Sequence, residues 1–411
     1  PYTEATNPDI TLPKFDDQRT IYQGLIAELD EAMATIGDAT RTGANVDDVA
    51  ENDIYCNGDL QKWKKLANTL KLRIAMRAYG AQGADFAATA INSALNSPLL
   101  ETTEDNVLMK KDDIISQWTA ACYGDIWYNF PVGGTWTVGK TLVDVLRNNN
   151  DPRLPVYAQP AKGGTAILEK PGGAEADNHD KRVAFIESIL TEAGVEYSKN
   201  VLADGDVEIT MPENSYYVGF PTRVNGKIKP YMADLFFSIP AEVIISAKNS
   251  GPIRDELVMS SAEAYFLRAE AAVRGLGSGD ANSLYQEGIR QAMKLWGVSD
   301  GDIETYISTE PMAQLSGTQE EQIEKIATQR WIAAYTDGFE AWAIVRNLGY
   351  PAELAQGVSD PDIYGLGDIN GKYPQRLRYG NNARNTNTTN YNTAVSQQGP
   401  DTQETKLWWA K

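Results

Sequence analysis

The chain has 411 residues, with 37 Lys and Arg against 56 Asp and Glu; the resulting net charge of −19 repels phosphate backbones and anionic headgroups and excludes nucleic acid as a natural partner. At roughly 150 residues per domain, the length allows two or three domains or one large helical body. A single histidine, His179, and two distant cysteines, Cys56 and Cys122, exclude a His-rich zinc centre and a CxxC knuckle, leaving two buried thiols or one bridge.

Helical periodicity dominates the first hundred residues. From Phe15 to Gly37, Ile21, Leu25, Leu29, Met33 and Ile36 recur every three or four positions, with Asp16 or Asp17 as N-cap and Gly37 as the stop. The segment GDLQKWKKLANTLKLRIAMRAYG puts Leu60, Trp63, Leu66, Leu70 and Ile74 on one stripe and Lys or Arg along the other, an amphipathic helix of about five turns. Asp85 to Leu95, Val138 to Leu146 and Val183 to Ala193 read as shorter helices. Between Glu101 and Pro240, Gly, Pro, aromatics and β-prone pieces such as SYYVGF (Ser215 to Phe220) replace the long periodic runs. Loops beyond about 15 residues inside a compact protein are usually functional or disordered, and the aromatic content here argues against disorder.

Helices return after Val258. SSAEAYFLRAEAAVRG closes at Gly275, and ANSLYQEGIRQAMKLWG, capped by Asp280, ends at Gly297; the short turn between them predicts antiparallel packing eased by Ala262, Ala264, Ala269, Ala271 and Ala272. The unit is close to the length of a tetratricopeptide repeat. Thr318 and Glu321 have capping-box spacing before a run through Ile323, Ile326, Trp331 and Ala334, and GFEAWAIVRNLGYP is helical from Gly338 to Gly349. Gly380 to Gly399, rich in Asn, reads as a solvated surface loop, and LWWA at Leu407 to Ala410 is apolar enough to dock on the body.

Chemistry leaves few marks. GxSxG, HExxH, Walker-type and EF-hand spacings do not occur. Asp47-Asp48, Asp112-Asp113 and Glu320-Glu321 read as caps or solvated faces, His179 in GGAEADNHDKR as an exposed surface residue, and Glu270 between Arg268 and Arg274 as a structural ion pair. No catalytic or metal-ligating residue is assigned and no cofactor is expected; an acidic loop is compatible with one structural calcium ion. Of the aromatics, 20 Tyr and 9 Trp outnumber 9 Phe, so most rings carry a polar tip suited to wet surfaces. They concentrate in QWTAACYGDIWYNFPVGGTW, Gln117 to Trp136, beside Gly and Pro that a core helix rarely carries. Flat rings there suit the apolar face of a pyranose and the interspersed Gln, Asp and Asn suit its hydroxyls, though the same rings serve equally to anchor the loop or to stack on peptide side chains. The binding candidates are Trp118, Tyr123, Trp127 and Trp136, with Tyr216 from the second aromatic patch. No apolar run approaches the roughly 18 residues of a membrane span, and PYTEATNPDI lacks the features of a signal peptide.

Several segments, in order, carry a family resemblance: PYTEA, KFDDQRTIYQGLIAELDEA, GDLQKWKKLANTLKLRIAMR, DPRLPVYAQP, AEAYFLRAEAAVRG with LYQEGIRQAMKLWGV, and QRWIAAYTDGFEAWAIVRNLGYP. They resemble the SusD/RagB family of Bacteroidetes outer-membrane lipoproteins over nearly all of the chain. The resemblance implies an all-α dominated fold, a body of tetratricopeptide-like helix pairs with a large irregular, loop-rich ligand-binding part. Residues 1–100 would be the N-terminal helical part, 101–257 the aromatic-rich ligand-binding insertion, 258–350 the C-terminal helix pairs, and 351–411 an irregular tail packed on the body. It implies a non-enzymatic, cell-surface lid that captures oligosaccharide, or peptide in RagB-like members, and delivers it to a SusC-like TonB-dependent transporter at the outer membrane; a glycoside hydrolase is a remote alternative. Trp63, Leu72, Arg73, Glu270 and Trp342 fall in the motifs and read as scaffold. Two departures stand out. A signal peptide, lipidated cysteine and first helical region that usually precede the PYTEA segment are not in this chain, so the resemblance implies that the chain lacks an N-terminal portion with the lipid anchor. The usual RLPYP ending followed by Glu is replaced by RLRYGNNARN, Arg376 to Asn385.

Overall fold

The computed structural model describes residues 2–40, 52–109, 136–245 and 254–410. Helix α1 (Gln18–Ile36) starts where the Asp17 carboxylate accepts the Thr20 N–H at 2.9 Å and stops at Gly37, whose φ of +55° suits a residue without a side chain. Its predicted apolar stripe is half-buried, and the fully buried position is the neighbouring Ile26. Helix α2 (Leu60–Ala78), capped by Asp59, packs between α1 and α3 (Phe86–Leu95). Being covered on more than one side, α2 departs from the simple amphipathic expectation. Leu72, Ala75 and Met76 are among the buried residues, Trp63, Leu66, Leu70 and Ile74 are half-buried against the same core, and Lys71, expected on the charged face, is buried. The buried Lys71 ammonium is satisfied by Asp30 Oδ1 at 2.6 Å and Ser93 Oγ at 3.0 Å. Cys56 is a free buried thiol, pushed up to about 12 by burial and then by Asp53; Cys122 lies outside the described residues.

Strand β1 (Val107–Met109) leads out of this helical part. The middle of the chain holds α4 (Lys140–Asn148), the short α5 (Leu154–Tyr157), β2 (Gly164–Leu168), α6 (His179–Glu192), β3 (Ser198–Val201), β4 (Val207–Met211) and the short α7 (Glu242–Ile245), before β5 (Glu256–Met259) returns to pair antiparallel with β1. Strands β2, β4 and β3 form an antiparallel sheet in that order, with Thr165 opposite Thr210 and Lys199 opposite Ile209. The alternation of Val207, Ile209 and Met211 turns one face inward, against Ile186, Ile189 and Leu190 of α6 and against Phe236 and Phe237. The predicted β-prone SYYVGF is extended, but lies outside this sheet. Its main chain accepts from Ala161 and Ser238 and pairs Phe220 with Val138 and Lys140.

His179 overturns the surface reading. It is 1 % exposed, at the start of α6, with Nδ1 2.9 Å from the Tyr231 hydroxyl. The polar GGAEADN stretch before it folds into a tight 3-10 turn, so the composition that signalled exposure describes the cover and not the histidine beneath it.

The third part is built from α8 (Ser261–Val273), α9 (Ala281–Leu295), α10 (Asp300–Thr309), α11 (Gln319–Ala333) and α12 (Gly338–Leu348). Ser260, Asp280, Ser299, Thr318 and Asp337 each accept a backbone N–H at a helix start, and Gly349 closes α12 at φ +83°. Helices α8 and α9 fold back on each other, and Gly288 of α9 lies where an added Cβ would meet the Phe266 ring at 2.7 Å. Thr318 and Glu321 form the predicted capping box. Thr318→Ala is expected to cost about 1 kcal/mol in chemical denaturation, and an unchanged midpoint would show that the box adds nothing.

Charged side chains tie these parts together. Arg153 of the DPRLP motif is fully buried, donates to both Asp151 oxygens and reaches Gln329 Oε1 of α11 at 2.6 Å. Where α2, α8, α11 and α12 meet, Arg73, Arg77 and Arg330 alternate with Glu263, Glu270 and Glu340. Glu270 is the structural ion-pair residue expected, but its partners are Arg274 at 2.9 Å and Arg330 at 3.2 Å, while Arg268 lies over the Tyr265 ring.

Beyond the short α13 (Ala352–Gln356), the Asn-rich tail is helical, forming α14 (Asn381–Thr386) and α15 (Thr388–Gln398), against the loop expectation. Tertiary contacts override weak propensity here: Asn387 Nδ2 donates to the Pro13 carbonyl at 2.7 Å and Asn390 Nδ2 to that of Leu12 at 2.9 Å. LWWA docks as expected. Trp408 Nε1 donates to the Gln82 carbonyl, its ring stacks on Phe86, and Trp409 is buried.

Candidate functional site

Trp118, Tyr123 and Trp127 lie outside the described residues. What the structure describes is the chain before and after that stretch. The chain leaves at Met109, paired with Glu256 in the β1/β5 ribbon, and is described again from Trp136. Trp136 is 44 % exposed, two residues before Val138, whose N–H donates to the Ser238 carbonyl at 2.9 Å and whose carbonyl accepts from Phe220 at 2.8 Å. Those main-chain bonds hold the root of Trp136 while leaving its indole open to solvent. Tyr216 is half-buried against the core of the three-stranded sheet, whereas Val138 belongs to the core shared with α4 and Trp296. Among the described residues no ring contact joins Trp136 to Tyr216.

The structure also carries an aromatic group that sequence reading did not single out. Tyr157 lies against Trp296 at 4.4 Å and stacks on Tyr335 at 4.5 Å, and the Arg254 guanidinium sits 3.5 Å over the Trp296 ring. Its rings come from α5 and from the residues just after α9 and α11, which no local pattern links.

A second recess lies where the start of α1, the RLRYG segment, α15 and the terminal LWWA converge. Two lobes of ≈ 440 Å³ and ≈ 490 Å³ share Phe15, Asp16, Gln18, Tyr379 and Gln398. Phe15 and Tyr379 meet edge to face at 5.0 Å between them. The first lobe adds Gln82, Gln397 and Trp408; the second adds Tyr22, Trp342, Trp409 and three arginines. Volumes of this size fall within the range of about 300–1,000 Å³ usual for ligand pockets. Sequence reading marked RLRYG as a departure and LWWA as a docking piece, but nothing local places them beside Phe15.

By contrast, the void among Arg73, Glu263, Arg330, Asp337 and Glu340 measures ≈ 20 Å³, room for about one water. Burial pushes the Asp337 carboxyl up, but a space this small admits no substrate, and the residues are scaffold.

A family model described as SusD-like, starch-binding associating with outer membrane, matches residues 1–380. The chain belongs to the SusD-like family. Among solved structures, this SusD-like chain is similar to a chitin-binding protein at 25 % identity and a TM-score of 0.70, over 97 % of this chain and 74 % of that one. It is similar to a SusD-like protein from Bacteroides thetaiotaomicron at 25 % identity and 0.67, over 100 % and 76 %. A SusD homologue from Bacteroides fragilis, at 22 % identity, shares the fold with a TM-score of 0.72 over 100 % and 79 %. No curated protein matches the chain. Membership accounts for the helix-rich body and for the motifs as scaffold: Arg73 and Glu270 sit in the buried charge cluster, and Trp342 Nε1 donates to the Pro374 carbonyl at 2.7 Å. Among the described residues no helix is long and apolar enough to cross a membrane.

Proposed function

We propose that this SusD-like protein binds oligosaccharide at the cell surface and delivers it to a SusC-like TonB-dependent transporter of the outer membrane. The observation that carries the reading is the match of residues 1–380 to a family described as starch-binding and associated with the outer membrane. The chitin-binding neighbour supports the glycan class, and the exposed indole of Trp136 on a main-chain-anchored root supports stacking as the means of capture. Binding and delivery require no bond to be made. Affinity comes from ring stacking and shape, and discrimination from polar groups that the wrong sugar leaves unpaired.

The test is retention on a panel of insoluble or gel-embedded polysaccharides, starch and chitin included. Trp136→Ala, Trp118→Ala and Trp127→Ala are each expected to weaken retention about three- to tenfold, the loss of one stacking ring. Failure to retain any polysaccharide, or full retention by all three variants, would sink the glycan reading; peptide co-purified with the protein would replace it with a peptide cargo. Release of reducing ends by the purified protein would restore the hydrolase alternative. Delivery is tested separately, by co-purification of a TonB-dependent barrel from outer membranes.

A further inference from the structure

The arginine-lined lobe beside RLRYG has a charge pattern at odds with the rest of the chain. Arg346, Arg376 and Arg378 line it with Asp16 as their acidic counterpart, in a protein of net charge −19. Two of the three guanidiniums are paired: Arg376 with Asp401 at 3.2 Å and Arg378 with Asp368 at 2.6 Å. Arg346 is different. Its Nε and Nη1 donate to the backbone carbonyls of Trp342 and Gln375, and among the described residues it makes no ion pair. It is 8 % exposed and lies between two indoles, 3.6 Å from the Trp342 ring centre and 4.9 Å from that of Trp409. Buried cations are normally paired with an anion, and ring faces compensate a guanidinium only in part. Burial and then the nearby Arg77 push the Arg346 pKa down to about 10, as expected of a cation short of counter-charge.

We propose that this lobe is a subsite for a carboxylate-bearing sugar, a uronate residue of an acidic oligosaccharide. The proposal rests on the glycan reading above and adds a substrate class and a place. A uronate combines the two features that the lobe displays separately, a carboxylate for Arg346 and Arg378 and a pyranose face for the flanking rings. Neutral sugars leave the arginine uncompensated, and simple anions leave the rings unused.

Titration calorimetry of the whole chain with tri-galacturonate, maltotriose and inorganic phosphate tests it. Tri-galacturonate is expected to bind, to weaken as salt screens the pair, and to lose about tenfold in affinity with Arg378→Gln, the loss of one charge-assisted hydrogen bond. Maltotriose binding is expected to be unchanged by Arg378→Gln. Arg346→Gln removes the central cation and should abolish tri-galacturonate binding; since Arg346 also packs between indoles, Arg378→Gln, with its side chain 42 % exposed, is the variant that keeps the fold. Retention of neutral polysaccharide without tri-galacturonate binding overturns the subsite and leaves the glycan reading standing. Tri-galacturonate binding that Arg378→Gln leaves unchanged overturns it as well, as does phosphate binding of equal strength. Absence of all glycan binding removes both.

Discussion

Glu340→Ala is expected to destabilise the protein by about 3–5 kcal/mol, because it strips the shared carboxylate from the buried Arg330 and the largely buried Arg73 and Arg77. Glu340 is 7 % exposed, bonded to Arg77, 3.6 Å from Arg330 and 3.8 Å from Arg73. Burial alone would raise its carboxyl; Arg77, Arg73 and Arg330 outweigh burial and hold it at about 2. A carboxyl depressed in the folded state stabilises fully above its unfolded value and loses that contribution as pH falls towards the folded one. The wild type is therefore expected to lose stability between about pH 4.5 and pH 2 through this group. Asp337 acts in the opposite direction, since burial raises it and acidification relieves its cost. Urea denaturation across this range checks both. If Glu340→Ala retained the wild-type midpoint at neutral pH, the cluster would not be holding α2 to α12. A variant with the same acid limb as wild type would show that other carboxylates set it.

The second large effect concerns the α8/α9 crossing. Phe266→Ala is expected to cost about 3–5 kcal/mol, the range for emptying a buried aromatic site. Gly288 sits against that ring, and its Cβ would come within 2.7 Å of two ring atoms, so Gly288→Ala in the native background is expected to destabilise. In the Phe266→Ala background the clash is gone, and the same Gly288→Ala should stabilise by up to about 1 kcal/mol through helix propensity. The measured quantity is the sign of the Gly288→Ala effect in the two backgrounds. The same sign in both would mean that the ring does not set the helix approach.

That pair also shows why part of the architecture is legible without coordinates. Capping residues act within one turn, so Asp280 and Thr318 could be matched to helix starts from spacing alone, and Asp17 was one of two adjacent candidates. The motif segments placed the chain in its family for the same reason, since each is a short run read locally. Errors fell where a residue's surroundings come from elsewhere. Lys71 looked solvated by its own charge and His179 by its polar sequence neighbours, yet Asp30 and Ser93 hold the one and Tyr231 meets the other from other elements. The Asn-rich tail looked like loop until its amides met the carbonyls of Leu12 and Pro13, more than 370 positions away.

The candidate sites divide in the same way. Aromatic density and polar-tipped rings, properties of composition, singled out Gln117 to Trp136 as binding material, and within it Trp136 proves solvent-open. The recess made by Phe15, Tyr379, Trp408 and the three arginines belongs to no single segment. Sequence by itself determined the long periodic helices, the family and the charge that excludes nucleic acid, because each follows from local pattern or from a sum over the chain. Tertiary structure alone decided which of the three arginines lining the recess has no carboxylate partner among the described residues and which rings flank it. Pairing and burial depend on what distant segments bring within a few ångströms, and a linear order does not contain those distances.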